Sequence, residues 1–158
     1  MGEKRNVAVE AAHGEVILHF DDDDWSHPDR IRIQAETLRP GTAEICGLAH
    51  MLWWDPVHGQ AWRYRCPPVR RPWVAGNTFA YQRATWTKSP FPAQEMGEDT
   101  AFVWGRPDRR VLPIDDERLV IGTLHATNTS PKHPSGEAWT RVDVAEVRRV
   151  IDGANSGE

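Results

Sequence analysis

The stretch Val16-Ile17-Leu18-His19-Phe20, running into Asp21-Asp22-Asp23-Asp24-Trp25 and then Ser26-His27-Pro28-Asp29, decides how this chain is read. Its first five residues are an almost continuous apolar run with β-branched content, the pattern of a strand covered on both faces in a parallel or mixed sheet. The pattern therefore predicts a central strand over 16–20. Ser26, Pro28 and Asp29 supply a capping residue, a first-turn proline and a first-turn acid, so a helix is expected to begin near Pro28. Ile31, Ala35 and Leu38 recur at i, i+4 and i+7 as its apolar face, and Pro40-Gly41 stops it. The four aspartates then fall in a strand-to-helix loop, at the carboxyl end of a buried strand.

Adjacent carboxylates repel one another and oppose folding, and a bound divalent cation relieves that repulsion. Oxygen ligands suit Mg2+ or Mn2+, and the crevice beyond strand carboxyl ends is where open α/β sheets bind ligands. A solvated acidic turn that favours the dipole of the following helix is the alternative reading. Glu98-Asp99 after Gly97 is, taken alone, a pair of helix-start acids; alongside a metal-binding cluster, one carboxylate can act as a general base in a partly desolvated site. His125 ends an apolar strand and leads through Asn128 and Thr129 into a polar loop, as a structural histidine or a ligand.

Working outward, Val7, Ala8, Ala11 and Ala12 share a helical face that Gly14 ends. Strands are expected over 44–49, 51–54 and 61–65, the last two joined as a hairpin through Asp55-Pro56-Val57-His58-Gly59. Segment 66–72 is a proline- and arginine-rich connection, 74–81 a strand, and 83–88 and 98–104 short helices. Strands follow over 111–114 and 119–125, then a polar loop over 128–136. In the last helix Asp143 and Glu146 form a capping box, Val144, Val147 and Ile151 face inward, and Gly153 caps the end, leaving 154–158 to fray.

A chain of 158 residues with 39% hydrophobic and 27% charged content suits one compact core, and at this size folding buries roughly 70% of the extended-chain surface. Its 19 basic and 23 acidic residues give a net charge of −4, without the broad positive field of a nucleic-acid binder. No run reaches the roughly 18 to 20 apolar residues of a membrane helix and no apolar signal core follows the first charges, so a soluble cytosolic protein is expected. Cys46 and Cys66 lie in no CxxC pair and read as reduced, partly buried thiols; sequence leaves open a disulfide between them. There are eight tryptophans against two tyrosines. Neighbours Trp53 and Trp54 must point to opposite faces of a strand, so one suits the core, and the other joins Trp25 and Trp73 as a candidate surface for a sugar or aromatic ligand.

Arg5-Asn6-Val7-Ala8, Gly14-Glu15-Val16-Ile17, the run into Asp21-x-Asp23-Asp24-Trp25 and Pro28-Asp29-Arg30 together resemble family-2 glycosyltransferases of the GT-A fold. Downstream, Gly76-Asn77-Thr78-Phe79 is similar to the family's sugar-side strand, Gly97-Glu98-Asp99-Thr100 to its Glu-Asp motif, and His125 with Asn128-Thr129 to a late segment of bacterial members. The resemblance spans residues 3 to about 135. It implies a GT-A-like α/β fold, a mixed sheet flanked by helices, in a single partial domain over 1–153 that lacks the family's first strand-helix units.

What the resemblance implies for function is metal-dependent, inverting transfer of a sugar from a nucleotide-diphosphate donor to an acceptor hydroxyl. Asp23 would bind Mg2+ or Mn2+, Asp21 would reach the donor ribose or the metal, and His125 would be a third protein ligand or a diphosphate contact. Arg5, Asn6 and Asp22 would serve the nucleotide, and Trp25, Gly76, Asn77 and Asp24 the sugar. Asp99 would deprotonate the acceptor, with Glu98 positioning it. The partners implied are donor and acceptor, and a strand stripped of a neighbour offers an edge for association with another chain. The alternative is a catalytically inactive remnant that works as a metal or sugar-nucleotide binding or interaction module. A phosphoryl-transfer or nuclease site built on the aspartates is weaker, for want of a Gly-rich phosphate loop and a basic surface.

Overall fold

The computed structural model describes residues 1–128 and 132–156, residue 156 by its backbone alone. In chain order the elements are α1 (Gly2–Ala11), β1 (Val16–Leu18), β2 (Trp25–Ser26), α2 (Arg30–Thr37), β3 (Ile45–Gly47), β4 (His50–Asp55), β5 (Gln60–Arg65) and β6 (Ala80–Gln82). They continue with α3 (Arg83–Lys88), α4 (Glu98–Trp104), β7 (Val111–Pro113), a 3-10 turn (Glu117–Leu119), β8 (Val120–Thr123), β9 (Trp139–Val142) and α5 (Val144–Ser156). Two compact units result: Met1–Phe20, Ile31–Ala49 and Val69–Ile114 make the first, and Asp21–Arg30, His50–Pro68 and the chain from Asp115 onward make the second. The α/β class with mixed strand directions is observed, but the strands sort into two sheets, of four and five strands, and not one.

In the first unit the strand order is β1-β6-β3-β7, with β7 parallel to β3 and the other pairs antiparallel. This corrects the expectation of a central first strand, since β1 lies at the sheet edge. Only Ile17 of its three residues is fully buried, and Phe20, beyond its end, is 51% exposed. The apolar run thus overstates the burial. Ile17, Ile45 and Tyr81 face a core with Val9 of α1, Phe79, Phe91, and Phe102 and Val103 of α4, in which the Phe91 and Phe102 rings stack at 4.0 Å. Cys46 and Ala80 face the other way, onto Leu38, just after α2, and Ala43.

Helix α2 buries Arg30 and Gln34, and Leu38 is buried just beyond its end, while Ile31 is 58% exposed, so the predicted apolar face is rotated. Hydrogen bonds make the polar burial tolerable: Arg30 Nη1 donates to Ser26 Oγ at 2.8 Å and Gln34 Nε2 to the Thr78 carbonyl at 2.7 Å. Ser26 lies in β2 and does not cap the helix; His27 opens it, its Nδ1 accepting from Asp29 N–H at 3.0 Å and its carbonyl from Arg30 N–H at 2.9 Å. The strand expected over 74–81 shrinks to β6, because Thr78 Oγ1 accepts from Leu48 N–H and donates to the Ala75 carbonyl, at 2.9 and 2.8 Å, folding 75–78 into a turn. Helices α3 and α4 fall where the sequence predicts them.

In the second unit the order is β2-β8-β4-β5-β9. The expected hairpin is present as β4 and β5, turning through Gly59 at φ +61, whereas β2 and β9 were not anticipated. Leu52, Ala61, Ile121 and Val147 of α5 form the core on one face, with Trp25 and Trp54 against it. Trp53 takes the opposite face, packed on Gly122 and 5.9 Å from the Trp139 ring. Asp143 Oδ1 caps α5 by accepting from Ala145 N–H at 2.8 Å. The capping box does not close, because the Glu146 carboxylate accepts from Arg63 Nη2 at 2.8 Å; Arg63 Nε also donates to both oxygens of Glu117, at 3.0 and 2.9 Å. Gly153 does not end α5, which continues to Ser156, so 154–156 are helical and the remainder of the expected frayed tail lies outside the described residues. Both cysteines are free, Cys46 buried and Cys66 half-buried. Among the described residues no helix is long and apolar enough to cross a membrane.

Candidate functional site

The aspartate turn belongs to the second unit. Strand β2 has only two residues, yet its pairing with β8, Trp25 opposite Ile121, brings Asp24 to Thr123, whose N–H donates to Asp24 Oδ1 at 2.8 Å. Asp24 N–H returns to the Asp21 carbonyl at 3.3 Å and closes the turn. One carboxylate oxygen from each of Asp21, Asp23 and Asp24 lies within 4.8 Å of the others. Asp21, Asp22 and Asp23 are exposed and Asp24 is half-buried.

His125 Nε2 lies 2.7 Å from Asp23 Oδ2. Thr127 N–H points at His125 Nδ1 at 3.3 Å, so that nitrogen accepts and Nε2 carries the proton donated to Asp23. Asn128 braces the arrangement: its Nδ2 donates to Asp23 Oδ2 at 3.3 Å and to the Thr123 carbonyl at 3.1 Å, while its Oδ1 accepts from His125 N–H at 2.8 Å. Thr129, grouped with these residues in the sequence, lies outside the described residues. The result is a hard-oxygen donor set of the kind Mg2+ or Mn2+ takes, with a histidine orienting one carboxylate in the manner of an outer-shell partner. Elsewhere in this unit His50, Arg65, Asp115, Asp116, Glu117 and Arg118 line a polar hollow of about 440 Å³ that none of Asp21 to Asp24 lines.

Glu98 and Asp99 belong to the first unit, in the opening turn of α4 behind Gly97 at φ +74. Glu98 is buried, and its Oε1 accepts from Arg5 Nε at 3.1 Å. Arg5 Nη1 reaches His19 Nδ1 at 2.6 Å; a guanidinium only donates, so His19 holds its proton on Nε2, 2.9 Å from the Tyr81 hydroxyl. Burial pushes the Tyr81 phenol well above its usual pKa, against the opposing pull of Arg5 and Arg83. The Arg5 guanidinium also lies over the rings of Phe79 and Phe91, at 5.6 and 5.8 Å. Asn6 is engaged inward too: its Oδ1 accepts from Trp86 Nε1 and from Phe91 N–H, at 2.8 and 3.0 Å, and its Nδ2 donates to the Phe91 carbonyl at 3.0 Å.

Asp99 is half-buried, and its Oδ1 accepts from Thr100 N–H at 2.6 Å. Gly76 and the half-buried Asn77 lie in the turn over 75–78, with Gly76 directly against the Asp99 carboxylate. The residues read from sequence therefore gather into two groups: Asp21, Asp23 and Asp24 with His125, and Arg5, Glu98, Asp99 and Gly76. Trp25 is half-buried against the α5 core, and Trp73 donates from Nε1 to Thr100 Oγ1 at 3.1 Å. His19 and Tyr81 complete the Arg5 network without having been anticipated, because nothing local in the sequence ties them to Arg5 or Glu98.

No protein-family model matches the chain, and no curated protein sequence matches it either.

Proposed function

We propose that this chain is a metal-dependent sugar transferase of the family-2, GT-A type, moving a sugar from a nucleotide-diphosphate donor to an acceptor hydroxyl with inversion. The observation that carries this reading is the turn in which Asp21, Asp23 and Asp24 offer oxygens within 4.8 Å of one another. Its weight grows from chain order: the acidic turn follows an Arg-Asn helix and precedes a Glu-Asp helix, as in that family. In this reading Asp21, Asp23 and Asp24 hold Mg2+ or Mn2+, and His125 keeps Asp23 oriented. The cation, when bound, neutralises charge on the diphosphate leaving group. Asp99 accepts the proton of the acceptor hydroxyl on Oδ2, since Oδ1 is engaged by Thr100 N–H. Glu98, tied to Arg5, fixes the turn that presents Asp99.

The test is turnover and calorimetry with Mn2+ and a panel of uridine, guanosine and thymidine diphosphate sugars. Metal-dependent release of nucleoside diphosphate is expected, with Asp99→Asn binding donor but not transferring; transfer at the native rate by that variant sinks the base assignment. A second reading, a binding module without turnover, draws on the inward engagement of Arg5 and Asn6 in the unit's own hydrogen bonds. Donor binding without turnover or hydrolysis favours it, and no binding at all argues against both.

A further inference from the structure

A Cβ built on Gly76 would fall 2.5 Å from Asp99 Oδ2, 2.9 Å from Asp99 Cβ and 3.1 Å from Asp99 Cγ. A side chain at position 76 therefore forces Asp99 to shift, at its Cβ as well as at its carboxylate. The backbone itself does not demand glycine here, because Gly76 is not among the positive-φ glycines Gly41, Gly59, Gly97 and Gly136. What position 76 requires is room, and the group that fills the room is the Asp99 carboxylate. The other carboxylate oxygen is held by Thr100 N–H at 2.6 Å, and the turn carrying Asp99 is anchored next door by the buried Arg5–Glu98 pair at 3.1 Å.

We propose that Gly76 is a positioning residue for Asp99, its missing side chain forming a socket that fixes where Oδ2 points. The chemical role of the socket rests on the sugar-transfer reading, in which that oxygen takes the acceptor proton. The socket itself is a geometric claim and is tested without any substrate.

The experiment is a double-mutant cycle of Gly76→Ala and Asp99→Gly, followed by denaturant unfolding and by carboxyl-carbon NMR. Asp99→Gly removes the three atoms nearest to a Cβ at 76, so Gly76→Ala is expected to destabilise the native chain and to cost little in the Asp99→Gly background. An equal loss in both backgrounds overturns the socket. If Gly76→Ala alone does not fold, restored folding on adding Asp99→Gly supports the proposal and failure of the double variant overturns it. The Asp99 carboxyl resonance should move in Gly76→Ala while that of Asp23 stays; an unmoved Asp99 resonance counts against positioning. In turnover, displacement of a reacting group by about 1 Å lowers kcat by about a hundredfold. Native kcat in Gly76→Ala overturns the positioning role. A native chain that turns over no donor, while the cycle and the resonance still report the contact, removes the sugar-transfer reading and leaves the socket standing.

Discussion

Arg5 Nε and Glu98 Oε1 meet at 3.1 Å from opposite ends of the first unit's sequence, with only 15% and 6% of their side chains exposed. An ion pair so far removed from water is asymmetric in its consequences: removing one partner strands the other charge, whereas replacing both by apolar groups need not. Arg5→Ala is expected to cost about 3 to 5 kcal/mol, and the Arg5→Met, Glu98→Leu pair much less. Urea unfolding checks this, and a loss from Arg5→Ala no larger than from the double replacement would show that the pair is not effectively desolvated.

The acidic turn makes its own prediction about metal. Anything that binds only the folded chain stabilises it, by about 2.7 kcal/mol at a hundred times the dissociation constant. Mn2+ should therefore raise the melting temperature of the native chain. Asp23→Asn keeps an acceptor for His125 Nε2 but removes a charged oxygen from the cluster, so it should lose most of that rise without a comparable loss in metal-free buffer. A Mn2+ effect of equal size in both chains places the metal elsewhere.

The acidic turn and the helices α3 and α4 were legible in sequence because each is announced by local chemistry: a run of carboxylates, Gly97 ahead of two acids, prolines at 90 and 92 after Lys88. What was not legible depends on partners distant in the chain. The face of α2 is set by Gln34 finding the Thr78 carbonyl, 44 residues on, so the apolar letter Ile31 misleads. Glu146 looks like the second half of a capping box until Arg63, 83 residues earlier, takes its carboxylate. Strand β2 is too short to show a period and exists only through β8. Likewise, the aspartates were visible as a cluster, but the bond between Asp23 and His125 spans 102 residues and needed the fold.

Close packing on the second sheet gives a substitution whose outcome does not depend on function. Gly122 pairs with Trp53, and a Cβ added there would sit 2.5 Å from the indole ring. Trp53 is 7% exposed and has little room to withdraw. Gly122→Ala should cost about 1 to 3 kcal/mol through overpacking and shift the tryptophan emission as the ring is displaced. Unchanged stability and emission would mean that the indole does not lie over Gly122 in solution.

Acid should act on the second unit partly through Asp116. The Arg118 guanidinium, bonded to both carboxylate oxygens at 2.8 and 2.9 Å, holds the Asp116 carboxyl below the usual carboxylate range, while partial burial opposes it. A carboxyl whose folded pKa is depressed favours the folded state only while ionised. Its contribution is complete above the unfolded value of about 4 and disappears as the pH falls through the folded value. Because Arg118 is 68% exposed, solvent and salt screen the pair and its worth stays below about 1 kcal/mol. Arg118→Gln should therefore be a few tenths of a kcal/mol less stable than the native chain at neutral pH. The gap should close on acidification below about pH 4 and shrink in high salt. Denaturant unfolding of both chains across that range decides it, since a gap that holds or widens in acid would place the stabilisation in packing of the arginine stem and not in its charge.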